Sequence, residues 1–130
     1  LLIKQSKTGR ATNTLHTFYR LDDGSHLAFF EAPDMPFEFK PQHDFDLHIA
    51  LEVGAEALQP MLAKGRAQGS ETRGPSDHGM IDSIYFRDPN GYVIELCAKR
   101  ADHDARMDPQ RNGARDKLRR WTAAKDGTPA

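Results

Sequence analysis

The chain contains a histidine and a glutamate that each interrupt a run of apolar residues, and these two residue types together are typical of metal chemistry. His48 lies within DLHIALEV at 46–53, and Glu95 lies within YVIELCA at 92–98. A carboxylate inside an apolar strand needs a partner, because it is costly to desolvate it unpaired. The acid alone leaves two partners open: an arginine in a structural ion pair, or a metal ion that an imidazole nitrogen helps to hold.

Three strands and a helix must position these side chains. The segment 88–91, Asp-Pro-Asn-Gly, predicts a tight turn, since proline fixes φ and an Asn-Gly pair tolerates positive φ. This turn joins predicted strands at 82–87 and 92–98 into a hairpin. Upstream, 46–53 predicts a strand, followed by an amphipathic helix whose apolar positions are Leu58, Met61, Leu62 and Ala67. The histidine and the glutamate meet if their strands are neighbours.

These segments resemble the vicinal oxygen chelate superfamily, which includes glyoxalase I, extradiol dioxygenases, methylmalonyl-CoA epimerase and antibiotic-resistance proteins. The resemblance covers 46–98 as one complete βαβββ module, and 1–32 in part. It implies that His48 on the first strand and Glu95 on the last strand, after the turn, are metal ligands. The combination of HIALEV, a helix of the expected length and IYFRDPNGYVIEL is specific for the fold. It is much less specific for the reaction.

An internal repeat predicts a second, incomplete module. The hairpin at 17–31 overlays the one at 83–98 when Gly24 is matched with Gly91, which places Arg20 on Arg87 and Phe18 on Tyr85. Residues 1–5 are then a candidate second strand, while the first strand and helix of that module have no counterpart. Because an unpaired sheet edge is a hazard, we expect the missing strand to lie upstream of Leu1 rather than in a second chain.

The predicted fold class is therefore α+β, with paired βαβββ modules that form a cupped mixed sheet or an open barrel. We predict a partial first module and linker at 1–45, the complete second module at 46–98, and a charged C-terminal extension at 99–130. The extension contains a predicted short helix, 114–124, with an apolar stripe that could dock onto the sheet, cover an edge or meet another subunit. The stripe consists of Ala114, Leu118 and Trp121.

An extradiol dioxygenase is the leading hypothesis for the reaction. The resemblance implies two histidines and one glutamate around Fe(II), of which His48 and Glu95 would be two and the third would lie upstream. It also matches Tyr85, on the preceding strand, and His78, in the loop before that strand, to catalytic residues. A phenol and an imidazole could orient a bound catechol and move protons. Both residues have a plainer interpretation, since Tyr85 fits a packed strand and His78 fits a polar loop.

Two alternatives remain open. A glyoxalase-like lyase or epimerase, with Zn, Ni or Mn as the metal, needs a second last-strand glutamate, but the overlay places Ala28 where the second module has Glu95. Glu31 could serve only if a β-bulge reverses its side-chain direction. A metal-free protein that binds an antibiotic or another aromatic molecule is the third hypothesis, with His48 and Glu95 hydrogen-bonded to each other.

The composition excludes several other classes. The 130 residues carry a net charge of −1 and contain no apolar run long enough for a bilayer, so neither nucleic acid nor a membrane is an expected partner. A small-molecule substrate and a homodimer are expected instead. Cys97 is the only cysteine, which excludes an intramolecular disulfide and favours a reducing, cytoplasmic location. Its apolar strand favours a packed thiol over a nucleophile.

Overall fold

The computed structural model describes residues 2–5, 7–36, 38 and 43–125. The chain divides into two compact units, Leu1–Lys40 and Pro41–Ala130, and the charged extension groups with the second unit. Both units contain sheets, and helices occur in the second unit, so the predicted α+β class is confirmed. Part of the predicted linker, at 39–42, lies outside the described residues. None of the described helices has the length and apolar character that crossing a bilayer requires.

The first unit is an antiparallel sheet of three strands in the order β1-β2-β3. The strands are β1 (Leu2–Gln5), β2 (Ala11–Arg20) and β3 (His26–Glu31). β1 matches the predicted second strand, apart from Leu1, which lies outside the described residues. Gly24, with a φ of +84°, permits the tight connection between β2 and β3 because it has no Cβ to clash.

The register of the β2–β3 hairpin determines the face of β3 on which Glu31 lies. Pairing runs without a shift from Arg20 opposite His26 to Leu15 opposite Glu31. This hairpin therefore lacks the β-bulge that the lyase alternative requires, and strand alternation places the exposed Glu31 and Ala28 on opposite faces of β3. The reason is that the six residue pairs of this ladder follow one another directly, with no extra residue on either strand.

The second unit contains the complete βαβββ module that the sequence predicts. Its elements are β4 (His48–Glu52), α1 (Ala55–Ala67), β5 (Thr72–Asp77), β6 (Ile81–Arg87) and β7 (Val93–Lys99). The strand order is β4-β7-β6-β5; β4 runs parallel to β7, and the other pairs are antiparallel. The sheet is mixed, as predicted, and β4 starts two residues later than expected.

Local chemistry explains the β6–β7 connection. The Asp88 carboxylate accepts hydrogen bonds from the backbone N–H groups of Asn90 and Tyr92, at 2.9 and 2.8 Å. The N–H of Gly91 donates to the Asp88 carbonyl, and Gly91 has a φ of +88°. Asn90 keeps a negative φ, so only the glycine uses the left-handed region. The turn fixes the register that brings β7 beside β6.

The core of the second unit lies between α1 and one face of the sheet. It consists of Leu58 and Leu62 from α1 and of Ile84, Leu96 and Ala98 from the strands, and Leu51, Val53 and Phe86 pack against it. Gly65 lets α1 approach the sheet, since a Cβ there would lie 2.5 Å from the Phe86 ring. The predicted helix is thus amphipathic as expected, although Met61 and Ala67 are exposed rather than buried.

Two helices follow β7. α2 (His103–Met107) was not predicted, and α3 (Ala114–Lys125) matches the predicted helix to within one residue. Neither helix has a buried residue among those described. Leu118 and Trp121 are 64% and 69% exposed, so the apolar stripe of α3 is not docked onto the sheet.

Candidate metal and substrate site

The candidate site lies on the sheet face opposite α1. Ile84 and Leu96 point toward α1, so their chain neighbours Tyr85 and Glu95 point to the other face, because side chains alternate along a strand. Strand pairing aligns one residue from each strand in a single row across the sheet. The row consists of Ala50, Glu95, Tyr85 and Arg73. Residues distant in the sequence thus become direct neighbours.

The structure brings His48 and Glu95 together. His48 pairs with Val93 in the parallel ladder, two residues before Glu95, and its side chain reaches diagonally across. Its Nε2 lies 2.7 Å from Glu95 Oε2, and the two side chains are 25% and 10% exposed. The partner of the buried acid is therefore this imidazole and not an arginine. Burial and direct pairing hold both groups in one orientation.

The pair fits a divalent metal in donor type. An imidazole nitrogen and a carboxylate oxygen suit iron, zinc and manganese alike. At 2.7 Å the two atoms form a direct hydrogen bond, and both would have to turn toward a metal ion to hold it. Within 2–5, 7–36, 38 and 43–125, however, no group of three His, Cys, Asp or Glu side chains comes together. The described residues therefore supply two donors of a site that needs more.

His78 and Tyr85 form a second pair beside the first. His78 Nε2 lies 2.6 Å from the Tyr85 hydroxyl, and the His48 ring stands edge-on to the Tyr85 ring at 5.9 Å. Burial raises the pKa of Tyr85, and the Glu95 carboxylate adds to the rise, while the neighbouring Ser83 hydroxyl acts in the opposite direction. The phenol is therefore protonated at neutral pH and can serve as a hydrogen-bond donor.

Arg73 completes the row, and it was not predicted from the sequence. Its guanidinium carbon lies 4.7 Å from the centre of the Tyr85 ring, in a cation–π contact. Its Nη1 lies 3.7 Å from Asp44 Oδ2. The β5–β6 ladder shifts register between Arg73 and Ser76. Because of that shift, counting outward from the connecting turn places the wrong β5 residue opposite Tyr85. From the sequence, the expected pairing of β5 with β6 indicates only that some residue of β5 lies beside Tyr85.

Two further polar groups belong to this face. The fully buried Ser83 hydroxyl makes no hydrogen bond of acceptable geometry with the described residues. Cys97 follows Glu95 on the same face, and its thiol donates to the Leu51 carbonyl at 3.6 Å. Burial raises the pKa of the Cys97 thiol, with Glu95 contributing, so the thiol stays protonated and unreactive at neutral pH. This agrees with the packed role that the sequence predicts.

The fold and the site together define an α+β protein whose βαβββ module carries an imidazole–carboxylate pair and an imidazole–phenol pair on one sheet face. Its motifs and its second unit resemble the vicinal oxygen chelate superfamily. The candidate ligand Glu31 lies in the first unit and is exposed. No protein-family model and no curated protein matches the chain.

Solved structures that are similar to this chain include the following two. One is an integron cassette protein from the mobile metagenome of the Halifax Harbour sewage outfall, 20% identical over 71% of this chain and 72% of that protein, with a TM-score of 0.47. The other is the genomically encoded fosfomycin resistance protein FosX from Listeria monocytogenes, in complex with Mn(II) and sulfate. It is 23% identical over 71% of this chain and 70% of FosX, with a TM-score of 0.49.

Proposed function

We propose that this protein is a divalent-metal enzyme of the vicinal oxygen chelate type that oxidises a small catecholic substrate in the extradiol manner. The observation that carries the proposal is the proximity of two pairs on one sheet face, His48 with Glu95 and His78 with Tyr85. The first pair offers metal donors and the second offers a proton-transfer couple. The edge-on contact of His48 with Tyr85 links them.

His48 and Glu95 would hold the metal, with Fe(II) as the proposed ion. Bound there, the ion supplies Lewis acidity and, if it is iron, a redox couple for oxygen chemistry. The remaining ligand comes from outside the described residues or from a second copy in a homodimer. We place the enzyme in the cytoplasm, since its one thiol is free and half-buried in a strand.

Tyr85 and His78 act on the substrate. The protonated phenol donates a hydrogen bond to a substrate oxygen, which fixes the ring beside the metal ligands. His78 exchanges protons with that oxygen or with the phenol, because one nitrogen of an imidazole can donate a proton and the other can accept one. Arg73, stacked on the Tyr85 ring, limits the positions that the ring can take.

A metal-free binding protein for a small aromatic molecule is the second candidate. It is favoured by the direct 2.7 Å contact between His48 and Glu95, which satisfies both groups, and by the two-donor count within the described part of the chain. The lyase hypothesis has less support, since the unshifted β3 keeps Glu31 on the face opposite Ala28.

Metal analysis tests the proposal first. The wild-type protein, purified anaerobically and without chelator, is compared with His48→Ala and with His43→Ala, an exposed histidine outside the site. Near-stoichiometric iron that disappears only in His48→Ala, together with oxygen uptake on catechols, supports the dioxygenase. Zinc or nickel in the same pattern favours the lyase. No bound metal in any of the three proteins favours the binding protein.

A further inference from the structure

A cleft of about 620 Å³ lies beside the candidate site, within the second unit. It opens between the β5–β6 connection and the two C-terminal helices. Its volume falls in the range of small-molecule pockets, about 300–1,000 Å³. The lining residues that matter here are His78, Met80, Arg106, Met107, Arg111 and Lys117. This cleft was not predicted from the sequence, because it depends on where two helices of the extension at 99–130 lie.

The cleft is cationic. Among the residues that the structure describes, its lining includes two arginines and a lysine but no aspartate or glutamate. Asp102 binds Arg106 at 2.5 Å and neutralises it. Arg111 and Lys117 form no ion pair with any residue that the structure describes. Two cations that line one concave surface without a protein carboxylate favour an anionic ligand.

The cleft is also partly apolar. Met80 and Met107 line it together with Ala105 and Ala114. Methionine is flexible and polarisable, so it adapts to flat hydrocarbon groups. A ligand that matches this lining carries an apolar body and a negative charge. An aromatic acid has both.

His78 connects the cleft with the candidate site. It lines the cleft, and its Nε2 is hydrogen-bonded to the Tyr85 hydroxyl at 2.6 Å. Tyr85 in turn lies beside Glu95 in the sheet row. A ligand whose anionic end occupies the cleft can therefore present its other end to His78 and Tyr85.

We propose that the cleft binds the carboxylate substituent of the substrate, with Arg111 and Lys117 as its recognition residues. This inference rests on the proposed function and deepens it: the substrate class becomes carboxylated catechols rather than neutral ones. A guanidinium suits a carboxylate because it can form two parallel hydrogen bonds, and the lysine adds a mobile charge. The two cations determine specificity and take no part in the chemistry.

Oxygen-uptake kinetics with a matched pair of substrates test the proposal. The pair is 3,4-dihydroxybenzoate and 4-methylcatechol, which differ in the anionic group. We expect Arg111→Gln and Lys117→Gln each to raise KM for the acid about five- to tenfold and to leave 4-methylcatechol unchanged. Arg115→Gln, a charge removed from α3 outside the cleft lining, is the control and should change neither substrate. Equal effects on both substrates, or none, would overturn the proposal.

A binding measurement separates this proposal from the proposed function. Calorimetric titration with 3,4-dihydroxybenzoate requires no turnover. Binding that weakens in Arg111→Gln and Lys117→Gln, without oxygen uptake in the wild-type protein, would support the cleft and overturn the dioxygenase. Oxygen uptake that is equally efficient with both substrates, and unchanged in both variants, would support the dioxygenase and overturn the cleft.

Discussion

The β2–β3 hairpin of the first unit pairs Phe18 with Ala28 at the row where the β6–β7 hairpin of the second unit pairs Tyr85 with Glu95. The two hairpins have the same register at this row, as the overlay of the repeat predicted. Their chemistry differs completely, because a phenyl and a methyl group replace a phenol and a carboxylate. A shared backbone plan therefore does not imply a shared site, and the candidate chemistry belongs to one repeat.

The opposite faces of the two sheets differ as well. In the second unit, α1 buries Ile84 completely, and Leu96 is 9% exposed. By the same overlay, Phe29 of the first unit corresponds to Leu96, yet it is 46% exposed. The helix therefore makes the difference between a core position and a surface position at matching points of the repeat.

The largest expected effect comes from replacing Glu95 of the second hairpin with alanine, the residue that the first hairpin has at the matching position, Ala28. In Glu95→Ala, the matching residue of the first repeat replaces the proposed metal donor. We expect metal to be lost and oxygen uptake on catechols to fall at least roughly a hundredfold, since the change would remove a proposed ligand rather than a supporting group. Metal analysis and oxygen-electrode kinetics measure both quantities.

The reciprocal variant Ala28→Glu is the control for this prediction. It places an acid at the matching position of the first repeat, where no tyrosine faces it. We expect unchanged metal content and activity. Full metal occupancy in Glu95→Ala would contradict the assigned role of the acid.

The next effect comes from Tyr85→Phe, which copies Phe18 into the second hairpin. Only the hydroxyl that contacts His78 disappears, so the proposed metal donors remain. We expect kcat to fall about a hundredfold with unchanged metal content, as for loss of a group that positions or transfers a proton. Phe18→Tyr provides the matched control. An unchanged kcat in Tyr85→Phe would show that the Tyr85 hydroxyl has no catalytic role and that the residue serves only for packing.

A third comparison concerns stability. Leu62 is 1% exposed in the α1 core, and we expect Leu62→Ala to lower the free energy of unfolding by about 2–5 kcal/mol through the cavity it leaves. Phe29→Ala, at the exposed face of the first sheet, should cost about 1 kcal/mol or less. Urea unfolding of both variants measures the contrast. Equal losses would show that the two faces are equally covered in solution.

The smallest expected effect is a change of stability with pH. Burial raises the pKa of Tyr85 above its ordinary value of 10.0. Above that value the unfolded chain releases this proton while the folded protein keeps it, so stability from this group is complete below pH 10.0 and is lost as the pH rises through the folded pKa. Urea unfolding of metal-free wild-type and Tyr85→Phe protein on both sides of this pH tests it. Above pH 10.0, the free energy of unfolding should fall less in Tyr85→Phe than in the wild-type protein.

The sequence was most informative where motifs and periodicity coincide. The apolar series around His48 and Glu95, and the turn at 88–91, predicted the strands and their proximity, and the structure places the two side chains in contact. Their role as metal ligands stays a prediction, as do the catalytic roles of Tyr85 and His78. The register of the repeat also followed from matching one glycine with another.

The remaining features depend on geometry that residue types do not reveal. Arg73 reaches Tyr85 because the ladder shifts register after it, and such a shift leaves no pattern in the sequence. α2 has five residues, too few for helical periodicity. The cleft arises from the position of two helices whose surfaces look merely solvated, and charge alone does not predict which cations stay unpaired.

The parallel pairing of β4 with β7 has a consequence for how the site comes into being. His48 and Glu95 are 47 residues apart, and they meet because the first strand of the module lies against the last. Closing a loop of this length is entropically costly, so such contacts are expected to consolidate late in folding. A nascent chain that has not yet reached β7 has the imidazole without its acid, and the site becomes competent only when the module is complete.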